Sequence, residues 1–381
     1  MVYLDHAASS PLRDSAREAW LAAVEAPGNP ASRHAWGRRA AARVVQAREA
    51  VAALLGCEPA GLVFTATGTE ANNLAILGAA GVLEAQGAPR RALCSAIEHS
   101  CVRGPMAVLV GRGWEVHTIG VDGVGRLDEA ALKEALDRGI SLASVMAVNN
   151  EMGVIQDLER LGGQIRATGA LLHVDAVQAL GVLEPAPWQA DMLTASAHKI
   201  GGPQGIGALG LRRGLKLQPV LWGGPHEAGR RPGTLATAAI AAFGAAAAEA
   251  LAGRAREAER LADLRALLTG ALGSVPGLTV LGRVGHSAPH ILGAVLPGVT
   301  GEAMVEHLDL AGVAASTGAA CTLLGTPGSP VLRALGLPEA AVQGSLRLSF
   351  GWSTSSDEVR LAARLVVDVL KRLAGMKPMV S

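Results

Sequence analysis

The segment MLTASAHKIGGPQGIGALGL, at residues 192–211, predicts a strand that ends near a lysine, a glycine-rich turn and a second strand. The apolar runs of strand length lie at 192–195 and 206–211. The polar side chains that follow the first run are Ser196, His198 and Lys199. A lysine held between a strand end and close-packed glycines loses part of its hydration, which favours the neutral, nucleophilic amine. Because most lysines are solvated surface charges, this segment alone does not assign a catalytic role.

The same alternation of elements extends outward from this segment. Further apolar runs that predict strands lie at 62–65, 92–95, 115–119, 142–148 and 171–174. Helical patterns before and between the runs lie at 35–55, 70–86, 128–138 and 158–168. Repeated strand and helix units indicate an α/β protein with a mostly parallel sheet that is covered on both faces.

The remainder of the chain is less regular. An alanine-rich segment at 235–265 predicts a helix with a break near Gly253, and more irregular sequence follows it. We therefore expect a large domain at 15–255 and a smaller α+β domain at 256–381, to which residues 1–14 also belong.

Composition narrows the classes of partner. The 381 residues include 34 Lys plus Arg and 33 Asp plus Glu, so the net charge of +1 produces no global field for nucleic acid or an anionic membrane. Two uncharged stretches, 233–248 and 310–332, are respectively alanine-rich and interrupted by Gly and Pro, so neither predicts a membrane span. The N-terminus, with Asp5, does not match a secretory signal. We expect a cytoplasmic protein with a small-molecule partner.

Two other strand ends bear candidate ligand-binding residues, since ligands of such sheets collect there. Thr67, Gly68 and Thr69 follow the run at 62–65, and the free amides of a helix start bind anions such as phosphate. Asp175 follows the run at 171–174, where a carboxylate can pair with a protonated heterocyclic nitrogen. Each of these residues is also explained as an ordinary helix cap.

No two of the four cysteines are spaced as a CxxC pair. We therefore expect reduced thiols and no metal site. Cys321 lies among small residues and turn formers, which favour an accessible loop, although a lone cysteine is more often a buried small hydrophobe. We assign the other three cysteines to that buried class: they are Cys57, Cys94 and Cys101.

In combination these features are more specific than each alone. An anion site, a carboxylate for a ring nitrogen and a lysine that can form an imine are what a protein supplies to pyridoxal phosphate. His99 offers an imidazole to lie against the ring or move protons, and Asn150 offers an amide to the ring oxygen.

At these residues the sequence resembles the cysteine desulfurases, in the class-V aminotransferase family of fold-type I pyridoxal-phosphate enzymes. The motifs that carry the resemblance are YLDHAASSP (3–11), GNPAS (28–32), VNNEMG (148–153), HVDAVQ (173–178), SAHKIGGPQGIGAL (196–209), RRPGTL (230–235), STGAACT (316–322), VLRALG (331–336) and SLRLSFG (345–351). The resemblance implies a large domain with a mostly parallel seven-stranded sheet and a smaller α+β domain.

The resemblance also implies a role for each matching residue. Lys199 would bind the cofactor as an imine, Asp175 would pair with the pyridine nitrogen, and His99 would stack on the ring. Asn150 and Gln178 would face the ring oxygen, and Asn150 would also face the substrate. The residues expected at the phosphate are Gly68, Thr69, Ser196 and His198. Thr234 would reach the phosphate of a neighbouring subunit, which implies a homodimer.

The same resemblance implies an activity. Arg347 would grip the carboxylate of L-cysteine, and Cys321 would take the sulfur as a persulfide while L-alanine is released. The persulfide would then pass to an acceptor protein in iron–sulfur cluster assembly or thiolation. The chain departs from many relatives at Trp352, where they have a basic residue, and in its short C-terminal tail.

Other readings of the sequence predict different outcomes. An aminotransferase or a selenocysteine or cysteine lyase of the same family need not use Cys321. A non-enzymatic scaffold of a sulfur pathway is disfavoured because Lys199, Asp175, His99 and Cys321 are all present. A nucleotide-binding domain is disfavoured because the glycines form no phosphate fingerprint.

Overall fold

The structure is a computed structural model, and it describes residues 1–282, 285–318 and 328–375. The α-helices are α1 (Asp14–Glu25), α2 (Ala35–Leu55), α3 (Gly68–Ala85), α4 (Ser100–Gly111), α5 (Glu129–Asp137), α6 (Leu158–Ala167), α7 (Thr237–Leu272), α8 (Gly301–Leu310), α9 (Pro330–Ala334), α10 (Glu339–Gln343) and α11 (Ser356–Gly375). The strands are β1 (Val2–Tyr3), β2 (Leu62–Thr65), β3 (Arg91–Ser95), β4 (Glu115–Ile119), β5 (Leu142–Ser144), β6 (Leu171–Asp175), β7 (Met192–Ser196), β8 (Gly207–Leu211), β9 (Thr279–Val280), β10 (Ile291–Val295), β11 (Val313–Ala314) and β12 (Ser345–Ser349).

The seven strands β2 to β8 form one sheet in the order β2-β8-β7-β6-β5-β3-β4. Neighbours are parallel from β7 to β4, whereas β8 is antiparallel to both of its neighbours. The predicted mostly parallel, seven-stranded sheet is therefore confirmed. In the apolar run at 142–148 the strand β5 ends at Ser144, although the backbone N–H groups of Val145 and Ala147 still donate to the β6 oxygens of His173, at 3.0 Å, and Asp175, at 2.9 Å.

Helix α7 is continuous from Thr237 to Leu272, so the predicted break near Gly253 is wrong. A glycine inside a helix costs about 1 kcal/mol relative to alanine, and packing on both sides of this position outweighs that cost. The first half of the helix, around Phe243, packs into the core under the large sheet. The second half, around Leu264, packs into a separate core with the C-terminal strands.

The second core covers two small sheets. One has the order β12-β10-β9, and in the other β1 pairs in parallel with β11, so the N-terminus joins the C-terminal part of the chain. Residue 255 lies within helix α7, whose two halves enter different cores. The domain division at 15–255 and 256–381 stays a prediction.

Helix α7 is also the one helix, among those in the described parts of the chain, that is long and apolar enough to cross a membrane. Half of its most apolar window is buried within the protein, as in a core helix. Its length and composition are therefore weak support for a membrane span.

Candidate active site

A cavity of about 480 Å³ opens beyond the carboxyl ends of β3, β6 and β7. The predicted site residues that line this cavity are Gly68, Thr69, His99, Asn150, Asp175, Gln178, Ser196, His198, Lys199 and Arg347. They come from widely separated segments, and the parallel strands bring their ends to one edge of the sheet.

Lys199 lies three residues beyond the end of β7, in a short turn before the glycines. Its Nζ donates hydrogen bonds to the backbone oxygens of Ala7, at 2.6 Å, and Ala8, at 2.8 Å. The backbone N–H of Ser10 bonds to the oxygen of His198 at 2.8 Å, so the N-terminal segment covers the lysine turn. The half-buried amine thus faces the cavity with a defined position.

Asp175 ends β6 and is only 6% exposed. Its Oδ1 accepts from the backbone N–H of Val177 at 3.0 Å, and its Oδ2 accepts from the side-chain Nδ2 of Asn72 at 2.8 Å. Both donors are neutral, and burial makes an unbalanced negative charge costly. A cationic group in the cavity, such as a protonated ring nitrogen, would complement this carboxylate.

Helix α3 begins at the cavity with a capped N-terminus. The Thr67 Oγ1 accepts from the Glu70 N–H at 3.0 Å, and the first backbone bond of the helix runs from Ala71 N to Thr67 O. The N–H groups of Gly68 and Thr69 precede this bond and are available to an anion. A Cβ at Gly207 would lie 2.6 Å from the Thr67 carbonyl carbon, so that glycine permits the helix start to approach β8.

Ser196 and His198 complete the lining near this helix start. Ser196 is 6% exposed at the end of β7, and the Nδ1 of His198 lies 3.3 Å from the hydroxyl of Ser9. Burial, with a smaller contribution from the charge of Lys199, lowers the pKa of His198 to about 4. The imidazole is therefore neutral near pH 7 and can serve a phosphate as a hydrogen-bond donor.

His99 is the N-cap of helix α4, and its Nδ1 accepts from the backbone N–H of Cys101 at 3.2 Å. The same nitrogen lies 2.8 Å from the Cys101 Sγ. Burial lowers the pKa of His99, while the negative charge of Asp175 acts in the opposite direction. The ring is thus held by its Nδ1 edge and lines the cavity with Asp175.

Arg347 lies on β12 and is 4% exposed. Its guanidinium donates to the Asp5 carboxylate at 2.9 Å and to the backbone oxygen of Asn150 at 3.0 Å. Its Nε is buried and has no hydrogen-bond partner within the described residues. The guanidinium is held at the cavity wall, where it can bind a carboxylate.

Three further predicted residues are Gln178, Thr234 and Cys321. The Gln178 side chain lines the cavity, but its Nε2 donates to the Ala7 backbone oxygen at 2.9 Å. Thr234 is exposed and does not line the cavity of its own chain. Cys321 lies outside the described residues.

The residues present fit a planar heterocycle that has a protonatable nitrogen, an aldehyde and a phosphate. Asp175 suits the nitrogen, Lys199 suits the aldehyde, and the amides of Gly68 and Thr69 suit the phosphate. The buried Oδ1 of Asn72, in the cavity wall beside Asp175, has no partner within the described residues. This donor and acceptor set matches pyridoxal phosphate.

Sequence reasoning missed two cavity residues. Asn72 was not singled out, although a polar side chain one helical turn from Gly68 places it on the same face of α3. Cys101 was grouped with Cys57 and Cys94 as a buried small hydrophobe, and this prediction is wrong because its thiol lines the cavity and contacts polar groups. The sequence signal for Cys101 was its position at the helix start after His99.

Comparison with known proteins identifies a matching family, similar proteins and a similar solved structure. Residues 2–361 match the family described as aminotransferase class-V. The chain is 39% identical over 385 residues to "Cysteine desulfurase IscS" of Anaeromyxobacter sp. (strain Fw109-5), covering 99% of this chain and 94% of that protein. It is 38% identical over 384 residues to "Cysteine desulfurase IscS" of Methylococcus capsulatus (strain ATCC 33009 / NCIMB 11132 / Bath), with coverage of 99% and 94%. A solved "NIFS-LIKE PROTEIN" is 29% identical, with a TM-score of 0.90 and coverage of 98% of this chain and 100% of that one.

Proposed function

The chain belongs to the class-V aminotransferase family, and we infer that it is a pyridoxal-phosphate-dependent cysteine desulfurase that converts L-cysteine to L-alanine. The observation that carries this inference is one cavity that contains Lys199, Asp175, His99 and Arg347 together. The relatives that match this chain over nearly its full length bear the name of that activity.

We propose the following roles for the residues that hold the cofactor. When bound, pyridoxal phosphate withdraws electrons from the α-carbon of an attached amino acid. Asp175 would keep the ring nitrogen protonated, and the amides of Gly68 and Thr69, with Ser196 and His198, would hold the phosphate. His99 would lie against the ring.

Lys199 has two tasks in this proposal. Its amine would hold the cofactor at the aldehyde carbon, and the same amine would act as an acid–base group once a substrate amine is bound there. The amine then stands beside the α-carbon, where it can remove and return a proton. The Ala7 and Ala8 oxygens that now accept from Nζ can hold the ammonium form at this position.

Arg347 binds the substrate carboxylate. The pair with Asp5 and the bond to the Asn150 oxygen hold the guanidinium at the cavity wall before substrate enters. A planar guanidinium matches two carboxylate oxygens, which orients the α-carbon toward Lys199. Asn150 completes this wall.

Cys321 takes the sulfur in our proposal. Its thiolate attacks the substrate sulfur, the carbon–sulfur bond breaks, and the bonding electrons go to the carbon fragment, which is protonated and leaves as L-alanine. The sulfur stays on Cys321 as a persulfide and then passes to an acceptor protein. Iron–sulfur cluster assembly is the favoured pathway, because the relatives carry the name IscS.

We further propose a cytoplasmic homodimer in which Thr234 contributes to the phosphate site of the partner. Thr234 is exposed beyond its own cavity, as a residue acting in a second subunit must be. Trp222 is 85% exposed, and burial of so large an apolar ring favours association. Sedimentation of the purified chain tests this proposal: a dimer is expected, and a monomer that retains full activity contradicts the role of Thr234.

The cofactor assignment is tested by an absorption spectrum of the purified protein. A visible band that is lost on borohydride reduction, with the cofactor mass found on the peptide of Lys199, is the expected result. Lys199→Ala should lose this band, and Lys216→Ala, at an exposed position, is the matched control that should keep it. Absence of the band after incubation with pyridoxal phosphate contradicts the assignment.

The reaction is tested by product analysis with L-cysteine. With a thiol reductant present to cleave the Cys321 persulfide, the wild type should release alanine and sulfide. Cys321→Ser should bind the cofactor with the wild-type spectrum yet release neither product above background. Amino transfer to a keto acid would instead identify an aminotransferase. A preference for selenocysteine with activity that survives Cys321→Ser would identify a lyase.

A further inference from the structure

Cys101 stands at the second position of helix α4, with its sulfur in a polar cluster at the base of the cavity. The Sγ lies 2.8 Å from His99 Nδ1, 2.9 Å from Asn72 Nδ2 and 3.9 Å from Asp175 Oδ2. One sulfur therefore touches the imidazole and also the amide that holds the carboxylate.

The hydrogens in this cluster can be assigned from the donors. The two hydrogens of Asn72 Nδ2 go to Asp175 Oδ2 and to Cys101 Sγ, so the sulfur accepts from Asn72. The backbone N–H of Cys101 points at His99 Nδ1, which must then be an acceptor without a proton of its own. The proton of the neutral ring consequently lies on Nε2.

The thiol hydrogen has two acceptors within reach. The His99 Nδ1 is the nearer one, at 2.8 Å, and the Asp175 oxygen lies at 3.9 Å. A thiol that donates to Nδ1 opposes protonation of that nitrogen, because a protonated Nδ1 would face two donors, the backbone N–H and the thiol of Cys101.

We propose that Cys101 is a positioning residue, whose thiol links His99 to the Asn72–Asp175 pair and keeps the imidazole neutral with its proton on Nε2. This inference rests on the proposed function, since it concerns the ring that lies against the cofactor. His99 then presents an N–H from its free edge, and the carboxylate stays bound to Asn72.

The same cluster keeps Cys101 out of sulfur transfer. Burial and the nearby charge of Asp175 raise the pKa of the Cys101 thiol to about 12. The thiolate is the form that attacks sulfur, so the cavity contains a thiol that does not compete with Cys321 for the substrate.

The central experiment follows the titration of His99 in the holoenzyme, with ¹⁵N-labelled histidine and NMR. Cys101→Ala removes the donor to Nδ1, and we expect His99 to bind a proton about three- to tenfold more tightly, as for loss of one hydrogen bond. Cys101→Ser retains a donor, and its His99 should keep the wild-type tautomer and titration. The charged groups that also face this ring are Asp175, Lys199 and Arg103, and all of them remain in both variants.

Cys57→Ala is the matched control, because Cys57 packs beside the core away from the cavity and its removal should leave the His99 signals unchanged. Identical His99 titrations in the wild type and Cys101→Ala overturn the proposal, as does a proton on Nδ1 in the wild type. These signals do not depend on alanine release. A protein that lacks desulfurase activity but shows the expected His99 response would contradict the proposed function and leave the role of Cys101 supported.

Alkylation adds a second readout. Iodoacetamide at pH 8 should modify Cys101 about 1000-fold more slowly than a free thiol of ordinary pKa, measured by mass spectrometry of its peptide. Asp175→Asn removes the neighbouring charge and should speed this modification. Rapid alkylation of Cys101 in the wild type contradicts its placement as a protected thiol.

Discussion

Two regions of the cavity are built in different ways. The strand-end cluster, which we define as Lys199, Asp175 and His99, lies just beyond parallel strands of one sheet. The arginine cluster, which we define as Arg347, Asp5 and Asn150, joins three segments that are far apart in the chain.

The difference concerns what fixes each group. In the strand-end cluster, the ladder hydrogen bonds of the sheet place every strand end, so its geometry follows from the main fold. The arginine cluster forms only when the N-terminal segment bridges to β12, for example through the backbone N–H of Ser349 and the oxygen of Leu4 at 2.7 Å. We therefore expect substitutions in the first region to act on the cofactor, and substitutions in the second to act on the substrate.

The largest effect is expected for Asp175→Asn. Loss of one partner from a buried ion pair costs about 3 to 5 kcal/mol, which corresponds to roughly a 150- to 5000-fold loss of activity. Cofactor affinity should fall in parallel, measured by fluorescence titration of the apo-protein. An unchanged dissociation constant for pyridoxal phosphate contradicts the assigned pair.

Asp191→Asn is the control for that variant. Asp191 is also buried, at 5% exposure, but it lies before β7 at the opposite end of the sheet, where it pairs with Arg212 and accepts from the Leu172 N–H. This change should lower the free energy of unfolding while cofactor affinity stays at the wild-type value.

Arg347→Lys should act on the substrate and leave the cofactor in place. Lysine keeps the positive charge but loses the planar fork, and hydrogen bonds to charged groups contribute about 1.5 to 3 kcal/mol, so the KM for cysteine should rise roughly 10- to 100-fold. The absorption spectrum should not change. Arg333→Lys, in an exposed pair with Glu339, is the control and should have a wild-type KM. A raised KM in both variants would remove the distinction between the two regions.

The difference between the two clusters also explains which parts of the site can be predicted from the sequence. Apolar runs of strand length and the polar residue after each run predict the sheet and the strand-end cluster, because period and chain order are local signals. The pairing of Asp5 with Arg347 depends on β1 lying beside β11, and no local pattern reports that contact. The motifs of a resembling family indicated Arg347, but not what holds it.

The two wrong predictions, for Gly253 and Cys101, have a similar physical origin. The break near Gly253 was expected from the propensity of glycine, whereas packing of helix α7 into two cores decides its length. Cys101 was read from the usual burial of cysteine, whereas its neighbours in space, Asn72 and His99, decide its chemistry. Tertiary contacts override local preference in both cases.

Acid should lower the stability of the folded protein, because a buried histidine lies next to each of the two clusters. Burial lowers the pKa of His173, beneath the strand-end cluster, and of His6, beside the arginine cluster, to about 4. The unfolded chain, with a histidine pKa of about 6.5, binds more protons below that pH, so stability is complete above it and is lost as the pH falls toward 4. Each histidine should lower the free energy of unfolding by about 1.4 kcal/mol between pH 7.5 and 5.5.

His173→Gln should remove the contribution of His173 to the loss of unfolding free energy between pH 7.5 and 5.5, measured by urea unfolding at both pH values. Its hydrogen bonds to Ser144 and Thr194 are also changed, so the variant is expected to be less stable at pH 7.5 and to have a flatter pH dependence. His286→Gln, at an exposed position, should retain the wild-type slope. A wild-type slope in His173→Gln would mean that this ring is not neutral in the folded protein.

The smallest expected effect concerns Trp352, which connects the two regions. Its Nε1 donates to the Pro11 oxygen at 2.9 Å, and the guanidinium of Arg13 lies over its ring at 5.2 Å. Arg13 in turn donates to the oxygen of Ile200 at 2.8 Å, next to Lys199. Trp352→Phe keeps an aromatic face and loses one hydrogen bond, so the free energy of unfolding should fall by about 1 kcal/mol.

Trp222→Phe, at 85% exposure, is the control for monomeric stability. If Trp352→Phe also raises the KM for cysteine without a change in the cofactor spectrum, the lysine turn and the arginine cluster are mechanically linked, and the two regions act as one unit.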